Sequence, residues 1–438
     1  MRSTVFFVII CSLSASVNAQ TWIRTYHDSL NSVLKEEYQI IGNDSSKIHG
    51  AYIMFHQNGV PAVTGQFDNG IKLGEFKEFY PDSTLLRVTN FQNGMRQGPL
   101  LAYASNGNLV QEAFFNQDTL QGSLVTYFPD GLTKSKTHFA NGKPDGLILE
   151  YYKNGNLKSE ITYHQGKPNG ISKKYFPNGE LRSEANYVEG LVNGDFRTYY
   201  DNGQLDTESR LNHGQKTGEF KSYSKEGQLV LMGSYQKGLL HGINKGYYQD
   251  GTLKHTYLYE QGKRTGEALK YYPSGEVMER IDYSKQEENS DLIGYYPGGN
   301  TKSEQATRDG LPYGTWKAYH PNGQLMSEEN YHEGKLTLKN YYDQDGNLLK
   351  HEPHLQNMVH GVVKEYYPDG QLSSETTYKL GKKTGPYISH HANGSISVKG
   401  EYLKDQEIGT WEHYDMAGKI TEKLVYQRGK LVEEQVIR

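Results

Sequence analysis

Hydrophobic and polar residues alternate along this chain in short runs that end at turns containing glycine. Within residues 146–170, one alternating run leads to Tyr151-Tyr152, a turn follows at residues 153–155, and a second run covers residues 157–163. Alternation with a period of two places successive side chains on opposite faces of a sheet. Two such runs around a short glycine-containing loop predict one β-hairpin.

The same unit recurs every 24 residues. A glycine repeats at this spacing from Gly50 to Gly266, again at Gly314, and, after the loss of one residue, from Gly361 to Gly409. A second tight turn joins each unit to the next, and strands linked only by tight turns are antiparallel neighbours. The pattern therefore predicts an all-β fold, an elongated single-layer antiparallel meander of about sixteen 24-residue β-hairpin repeats.

The turn residues predict which side chains oppose each other within a hairpin. Several units read Pro-Asn-Gly or Pro-Asp-Gly, as in residues 177–179. Proline favours the second position of a type I turn and glycine the left-handed position after it, so a three-residue loop with a bulge is expected. That register pairs Tyr151 with Leu157. A two-residue Asn-Gly turn would instead pair Tyr152 with Leu157 and reverse the faces.

Comparison of the copies within the chain separates two aromatic columns. The first residue of each Tyr-Tyr pair is nearly constant, whereas the second varies. Because a packed position tolerates less change than a solvated one, the first column should form a structural ladder with the leucine column and the second-strand tyrosines. The second column should face solvent or a ligand. Its aromatic members include Tyr152, Phe176, Tyr200, Tyr248, Tyr272 and Tyr296, which we predict to bind a partner.

Another apolar column lies beside these rings and includes Trp316 and Trp411. A regular apolar stripe on the second face is suited to binding a partner. The alternative is that the stripe is the other half of the core, covered by sheet curvature or by a second copy of the chain. The two tryptophans complete the candidate partner-binding face.

The N-terminal segment predicts export. Residues 1–19 combine Arg2, an apolar stretch and a small-residue cleavage site at Val17-Asn18-Ala19, which is typical of a signal peptide. The protein is therefore expected in the periplasm, at the cell surface or in the medium. The only cysteine, Cys11, lies in this segment, so the mature chain is expected to have no disulfide.

The repeat also predicts the remaining boundaries. An N-terminal cap with a degenerate half-repeat is expected in residues 20–49, repeats 1–10 in 50–289, repeats 11–16 in 290–433, and a tail in 434–438. Terminal repeats are expected to be atypical. The pattern is irregular at two places, residues 284–291 and 336–360. We interpret them as bends or hinges, with ordinary copy decay in a continuous sheet as the alternative.

Composition and charge exclude several classes of protein. Hydrophobic residues make up 35% of the chain and its mean hydropathy is -0.77, yet it has 36 Tyr and 48 Gly. That combination fits many short strands and tight turns rather than an α/β enzyme. Lys and Arg number 47 against 51 Asp and Glu. Without a basic stripe, nucleic acid is an improbable partner, and so is an acidic lipid membrane.

Motifs for catalysis or metal binding do not emerge from the sequence. It has no phosphate-binding loop, zinc-protease motif, nucleophile elbow or cysteine-based metal site. His49, His241 and His360 precede repeat glycines, which suggests turn positions, and His390-His391 replaces a Tyr-Tyr pair. Recurring glutamates such as Glu160 are expected to pair with lysines on the same strand, such as Lys158. The sequence predicts a non-enzyme without catalytic residues, cofactor or metal.

Two segments carry a resemblance to a known repeat family. YHQGKPNG at residues 163–170 resembles the MORN (membrane occupation and recognition nexus) repeat, and YFPNGELRSE at residues 175–184 is similar to its bacterial variant. The resemblance extends over roughly residues 30–433. It implies a hairpin array used for protein contacts and dimerisation, and the variant is widespread in antitoxin-type proteins of bacterial toxin–antitoxin modules.

The resemblance and the lack of catalytic motifs together predict an exported, non-catalytic scaffold for protein–protein interaction, antitoxin-like or immunity-like in its most specific form. The alternatives are a cell-surface carbohydrate-binding repeat module and a lipid-associated repeat protein. The partner is expected to be a protein, and a homodimer is a further option.

Overall fold

The computed structural model describes residues 20–28, 30, 32–42, 44, 47–285 and 287–437. The predicted signal segment, with Cys11, lies outside the described residues. All regular secondary structure in the described part is β, and no helix there is long and apolar enough to cross a bilayer. The chain divides into unit 1 (Met1–Leu205 and Leu211–Gly214) and unit 2 (Asp206–Arg210 and Gln215–Arg438).

Unit 1 consists of short strands in chain order. They are β1 (Gln20–Tyr26), β2 (Leu34–Ile41), β3 (Ile48–Phe55), β4 (Pro61–Asp68), β5 (Ile71–Phe79), β6 (Leu85–Gln92), β7 (Met95–Tyr103), β8 (Leu109–Asn116), β9 (Thr119–Leu120), β10 (Gly122–Tyr127), β11 (Thr133–Ala140), β12 (Lys143–Pro144), β13 (Gly146–Tyr151), β14 (Leu157–His164), β15 (Lys167–Tyr175), β16 (Leu181–Val188) and β17 (Leu191–Tyr199). The next strand, β18 (Leu205–Asn212), includes residues of both units.

Unit 2 continues with strands of the same kind. They are β19 (Gln215–Tyr223), β20 (Leu229–Gln236), β21 (Leu239–Leu240), β22 (Gly242–Tyr247), β23 (Leu253–Glu260), β24 (Lys263–Arg264), β25 (Gly266–Tyr271), β26 (Val277–Ser284), β27 (Asn289–Tyr295), β28 (Thr301–Arg308), β29 (Leu311–Pro312), β30 (Gly314–Tyr319), β31 (Leu325–His332), β32 (Lys335–Tyr342), β33 (Leu348–Leu355), β34 (Met358–Val359), β35 (Gly361–Tyr366), β36 (Leu372–Lys379), β37 (Lys382–His390), β38 (Ile396–Leu403), β39 (Gln406–Tyr414), β40 (Ile420–Gln427) and β41 (Lys430–Val436). Residues 434–436 of the predicted tail lie in β41.

Within each unit, strands pair antiparallel with their neighbours along the chain. In unit 1, β14 pairs with β13 on one side and with β15 on the other. In unit 2, β36 likewise lies between β35 and β37. The predicted all-β fold of antiparallel hairpins is confirmed.

The predicted hairpin register is also confirmed. Tyr151 opposes Leu157, and a bulge follows Glu150. The Tyr152 N–H donates to the Asn156 carbonyl oxygen at 2.8 Å, and the Gly155 N–H donates to the Tyr152 carbonyl oxygen at 3.0 Å. Gly155 has a φ of 85°, so glycine occupies the left-handed position that a type I turn with a bulge requires.

The glycine that recurs every 24 residues lies in a strand bulge and not, as the sequence suggested, in a turn. Between β14 and β15 the pairing shifts from Ile161–Ser172 to Tyr163–Pro168, so three residues that include Gly170 oppose one. Gly170 has a φ of 106°, which residues with a side chain rarely adopt. The bulge therefore explains why this position is glycine in almost every repeat.

Both irregular places lie within continuous ladders, as the copy-decay interpretation expects. Where Ser290 replaces the repeat glycine, β26 and β27 pair without any bulge from Glu279–Gly294 to Ser284–Asn289. Where one residue is lost, β31 and β32 have a one-residue shift at Thr337 in place of the usual two. The bulge is thus missing at the first place and one residue shorter at the second, and in both cases the strands continue to pair beyond it.

The core of each unit lies on one face of its hairpins. Most of the buried hydrophobic residues are in the first-strand column of Ile148 or in the facing second-strand column of Ile161, and they include Phe76, Leu100, Ala113, Ala185, Ala268, Ile281, Val363 and Trp411. Large and small residues are matched across neighbouring repeats. A Cβ atom on Gly400 would lie 2.2 Å from the Trp411 indole, so only glycine leaves room for that ring.

The expected single structural ladder is in fact divided between two faces. The first-aromatic column contacts glutamates, since the Tyr175 hydroxyl donates to Glu160 at 2.6 Å. Glu160 and Tyr163 are three residues apart on β14, which places them on opposite faces. The second-strand tyrosines therefore belong to the core face and the first tyrosines to the other.

Candidate binding face

The predicted binding face centres on the second-aromatic column, which we call the aromatic row. Its rings follow the first strand of each hairpin at the start of the turn, and every one is half-buried. Tyr152, Phe176 and Tyr200 belong to unit 1, and Tyr248, Tyr272 and Tyr296 belong to unit 2.

Tyrosine hydroxyls of the aromatic row hold neighbouring hairpins together. The Tyr152 hydroxyl donates to the carbonyl oxygen of Tyr175, the first aromatic residue of the next repeat, at 2.8 Å. Four tyrosines of unit 2 repeat this bond at 2.7–2.9 Å, and they are Tyr248, Tyr272, Tyr296 and Tyr367. The row thus has a structural role that its variability did not reveal, while part of each ring stays exposed.

Histidine can replace tyrosine in this bond. Nε2 of His56 lies 2.9 Å from the Phe79 carbonyl oxygen, and Nε2 of His391 lies 2.9 Å from that of Tyr414. Because a carbonyl only accepts, Nε2 carries the proton in both. Histidine is therefore a second kind of donor at the tyrosine position, which accounts for His391 of the His390-His391 pair.

Aspartate at the same position caps its own turn instead. Oδ1 of Asp343 accepts from the N–H groups of Asp345 and Asn347 at 2.9 and 2.8 Å. Asp415 does the same for the N–H groups of Ala417 and Lys419. Much of the sequence variation in this column therefore reflects two alternative roles of its side chain. The side chain either donates a hydrogen bond to the next hairpin or caps the turn of its own hairpin.

Turn asparagines and glycines add further bonds between repeats. Nδ2 of Asn154 donates to the Pro177 carbonyl oxygen at 2.8 Å, and Oδ1 of Asn154 accepts from the Asn156 N–H at 3.1 Å. At the other end of the hairpin, the Gly166 N–H donates to the Pro144 carbonyl oxygen at 2.8 Å. Each hairpin is therefore tied to its neighbours at both turns.

The recurring glutamates are paired differently from the expected arrangement. Lys158 contacts Glu150 at 3.3 Å, whereas Glu160 receives the Tyr175 hydroxyl and lies 3.9 Å from Lys173 on the next strand. Burial, together with the bond to Glu160, raises the pKa of Tyr175 to about 12. The Glu160–Lys173 pair is partly exposed and contributes little to stability, so the face that carries the first tyrosines is a solvated ladder.

The two tryptophans of the predicted face lie in the core column. Trp411 is 5% exposed and stacks on Tyr387 with ring centroids 5.4 Å apart. Trp316 is half-buried, and its Nε1 donates to the Ala306 carbonyl oxygen at 2.8 Å. For these residues the half-core alternative describes the structure, and Trp411 is not accessible to a partner.

Charged residues interrupt the core face in the shortened unit. Lys339 and Glu329 are 2.7 Å apart, Lys350 contacts Glu352, and His354 lies 3.4 Å from Glu352. Burial acts to raise the pKa of Glu329, but hydrogen bonds from Lys339 and Tyr331 outweigh it, and the pKa is lowered. These partners satisfy the charges within the sheet. Among the described residues, no group of His, Cys, Asp or Glu is arranged to hold a metal ion.

Removing one hydroxyl from the aromatic row should loosen one junction between hairpins. For Tyr272→Phe we expect a loss of about 0.5–1.5 kcal/mol in the local free energy of opening, because one hydrogen bond disappears. Tyr272→His should retain most of the stability, since histidine makes the same bond elsewhere. Amide hydrogen exchange of β25 and β26 measures the effect. Tyr313→Phe, at a 56% exposed ring, is the control, and equal protection in both phenylalanine variants would contradict the expectation.

His255 should make unit 2 sensitive to acid. Burial lowers the pKa of this imidazole below the usual 6.5, and nearby cations add to the shift: Lys254, Lys270 and Arg264. Below pH 6.5 the unfolded chain binds the proton more readily, so stability should fall as the pH drops from 6.5 through the folded pKa. Urea unfolding between pH 7 and 5 measures this slope. His255→Phe should reduce the slope and His332→Gln, at an exposed site, should not; the reverse order would refute the assignment.

Comparison with known proteins identifies the repeats. Eight segments match the sequence model of the MORN repeat variant family, at residues 72–93, 144–165, 168–189, 192–212, 216–237, 264–285, 312–333 and 359–380. Each runs from the start of one hairpin to the second turn. No curated protein sequence matches the chain.

Solved structures offer only distant likeness. A crystal structure of TcdB2-TccC3-Cdc42 is 11% identical over 94% of this chain, with a TM-score of 0.15, and the chain spans 26% of its length. The Photorhabdus luminescens Tc holotoxin pore is 12% identical over 93% of this chain, with a TM-score of 0.14, and the chain spans 30% of its length.

Proposed function

Because the chain carries MORN-variant repeats, we propose that it is a non-catalytic scaffold that binds a protein partner through the aromatic row. One observation carries the proposal: bonds such as Tyr272 to the Tyr295 carbonyl oxygen fix the orientation of a ring that remains half-exposed. Binding energy at protein interfaces concentrates in aromatic anchors. A ring that is already immobilised loses little further entropy on binding.

The spacing of the row favours an extended partner segment. Rings one repeat apart are separated by two strands, or about 10 Å. An extended segment in the polyproline II conformation rises about 3.1 Å per residue with three residues per turn, so every third side chain lies on the same face and would meet a ring. We therefore propose a partner segment with apolar or aromatic side chains at that interval, facing Tyr248, Tyr272 and Tyr296 in unit 2.

A non-catalytic role is supported by how the ionisable groups are used. Histidines of the aromatic row donate to backbone carbonyl oxygens, and glutamates such as Glu160 and Glu208 accept tyrosine hydroxyls. These groups hold the repeats together.

Export and an antitoxin-like role complete the proposal. Residues 1–19 read as a signal peptide, so we propose that the protein acts in the periplasm, at the cell surface or in the medium. Neutralisation of a toxin is the most specific form of the scaffold role, and it is supported by the resemblance of residues 175–184 to repeats common in antitoxin-type proteins. A mature N-terminus at Gln20 is expected on sequencing the exported protein, and retention of Met1 would contradict export by cleavage.

Affinity capture with matched variants tests the binding face. The immobilised protein should retain a partner from the envelope or medium fraction of its source cells. Tyr272→Ser with Tyr296→Ser should weaken retention about tenfold or more, since two anchors are removed, and serine occupies this column naturally at Ser224. The opposite-face variant Glu208→Gln is the control and should bind normally. Equal retention by the serine variant, or loss in the control alone, would refute the proposed face.

A further inference from the structure

Two clefts in unit 1 lie where the aromatic row has phenylalanine in place of tyrosine. One is lined by Phe176, Asn178, Tyr199, Tyr200 and Asp201. Phe128 stands at the same position of the other cleft. That cleft is lined by Phe128, Lys134, Glu150, Tyr151, Tyr152 and Lys158.

The tyrosine copies of the repeat show which interaction these places lack. Tyr152 donates its hydroxyl to the Tyr175 carbonyl oxygen at 2.8 Å, whereas Phe128 and Phe176 have no hydroxyl to donate. Among the described residues, no side chain donates to the carbonyl oxygen of Tyr151 or Tyr199, the equivalents of Tyr175. In each cleft, a phenylalanine ring therefore lies with a carbonyl oxygen that lacks the tyrosine hydroxyl donor found in other repeats.

We propose that these two clefts bind neutral sugar rings of a glycan. A pyranose presents an apolar face of C–H groups, which suits packing against Phe128 or Phe176. Its hydroxyls can donate to the carbonyl oxygen that lacks a side-chain donor, replacing the bond that tyrosine makes in other repeats. The phenylalanine ring already fills the position of the tyrosine ring, so the ligand must supply a hydroxyl and a flat apolar surface.

Polar lining fits the same class of ligand. Asp201 adds a carboxylate beside Phe176. Beside Phe128 lie Glu150 and three lysines, of which Lys158 is 3.3 Å from Glu150 and the others are Lys134 and Lys153. A few polar groups around an apolar floor are typical of sites for small polar molecules. Cations are in excess in the Phe128 cleft, whereas the Phe176 cleft has only the Asp201 carboxylate. The features common to both clefts are the aromatic ring and the carbonyl oxygen, so a ligand that binds both would use an apolar face and hydroxyls rather than a net charge.

The spacing of the clefts favours a polymer. Phe128 and Phe176 are two repeats apart, which places four strand spacings, or about 19 Å, between them. One glycan chain can occupy both clefts, whereas a monosaccharide occupies one at a time. Joint occupancy raises the affinity for the longer ligand.

Calorimetric titration of the purified protein with defined oligosaccharides tests the proposal. The probes are the tetrasaccharides and monosaccharides of N-acetylglucosamine, glucose (β- and α-linked) and mannose. At least one tetrasaccharide should bind, and more tightly than its monosaccharide. In the double variant Phe128→Tyr, Phe176→Tyr, its affinity should fall about tenfold or more, because restored hydroxyls satisfy both carbonyl oxygens. Circular dichroism verifies that the variant is folded.

Tyr80→Phe is the matched control, because the Tyr80 hydroxyl donates to the Tyr103 carbonyl oxygen at 3.0 Å and Tyr80 lines neither cleft. This variant removes the hydroxyl where the usual bond is intact, so it should leave glycan binding unchanged or strengthen it. Binding of no probe, or equal binding by the double tyrosine variant, would overturn the proposal. The proposal would also be overturned if only a serine- or tyrosine-containing peptide, and no oligosaccharide, lost affinity in the double tyrosine variant. The clefts lie in unit 1, whereas the protein-capture variants change Tyr272 and Tyr296 in unit 2, so the two proposals fail independently.

Discussion

Replacing Trp411 by alanine should lower the free energy of unfolding of the last hairpins of unit 2 by about 3–5 kcal/mol, the usual loss for a buried tryptophan. The indole is 5% exposed. It packs among three rings at centroid distances of 5.0–6.3 Å, those of Tyr387, Tyr402 and Tyr426. The three rings belong to the nearby strands β37, β38 and β40, so the cavity would open between neighbouring hairpins.

Hydrogen exchange of β37–β40 with urea unfolding measures the loss. Trp22→Ala is the matched control, because that indole is 47% exposed and should cost less than about 1 kcal/mol. Similar losses in the two variants would show that Trp411 does not anchor the core.

Adding a single methyl group at Gly400 should also be strongly destabilising. A Cβ atom there would lie 2.2 Å from the Trp411 indole, and overpacking of this kind costs about 1–3 kcal/mol. At Gly294 the nearest atom to an added Cβ is the Ser303 hydroxyl oxygen, at 2.7 Å, which can rotate away. We therefore expect Gly400→Ala to lower the urea midpoint and Gly294→Ala to change it little.

A double variant distinguishes steric conflict from an effect on the backbone. With Trp411→Ala already present, Gly400→Ala should cost little further, because the ring it would strike is gone. Additive losses in the double variant would place the cause in the backbone of β38.

The hairpin register could be predicted from the sequence because it depends on local turn chemistry. Proline before Asn178-Gly179 favours one loop type, and that loop type determines the pairing across it. The bulge at Gly170 could not be separated from a turn, since glycine with positive φ serves both. Ser290 carried the relevant signal: the chain loses the bulge where it loses the glycine, without losing the strand.

The role of the aromatic row was missed because its acceptor is a backbone carbonyl group of the next repeat. Sequence variation at that position suggested solvent exposure, yet tyrosine and histidine share the ability to donate to the same acceptor. The alternation of such donors with Asp343 and Asp415, which cap turns, was the available signal. The burial of Trp411 depends on matching with Gly400 eleven residues earlier, a pairing that becomes evident only once the register is known.

Deletion of one repeat tests the central claim, that stability comes from structurally equivalent 24-residue hairpins that pack on their neighbours. Removing residues 146–169 joins Asp145 to Gly170 and preserves every column of unit 1. Removing residues 146–157 joins Asp145 to Lys158, so that a second strand follows the junction where a first strand belongs. We predict that the 24-residue deletion retains the native far-UV circular dichroism per residue and cooperative urea unfolding, while the 12-residue deletion loses both around the junction. Equal behaviour of the two deletions, folded or unfolded, would contradict the account.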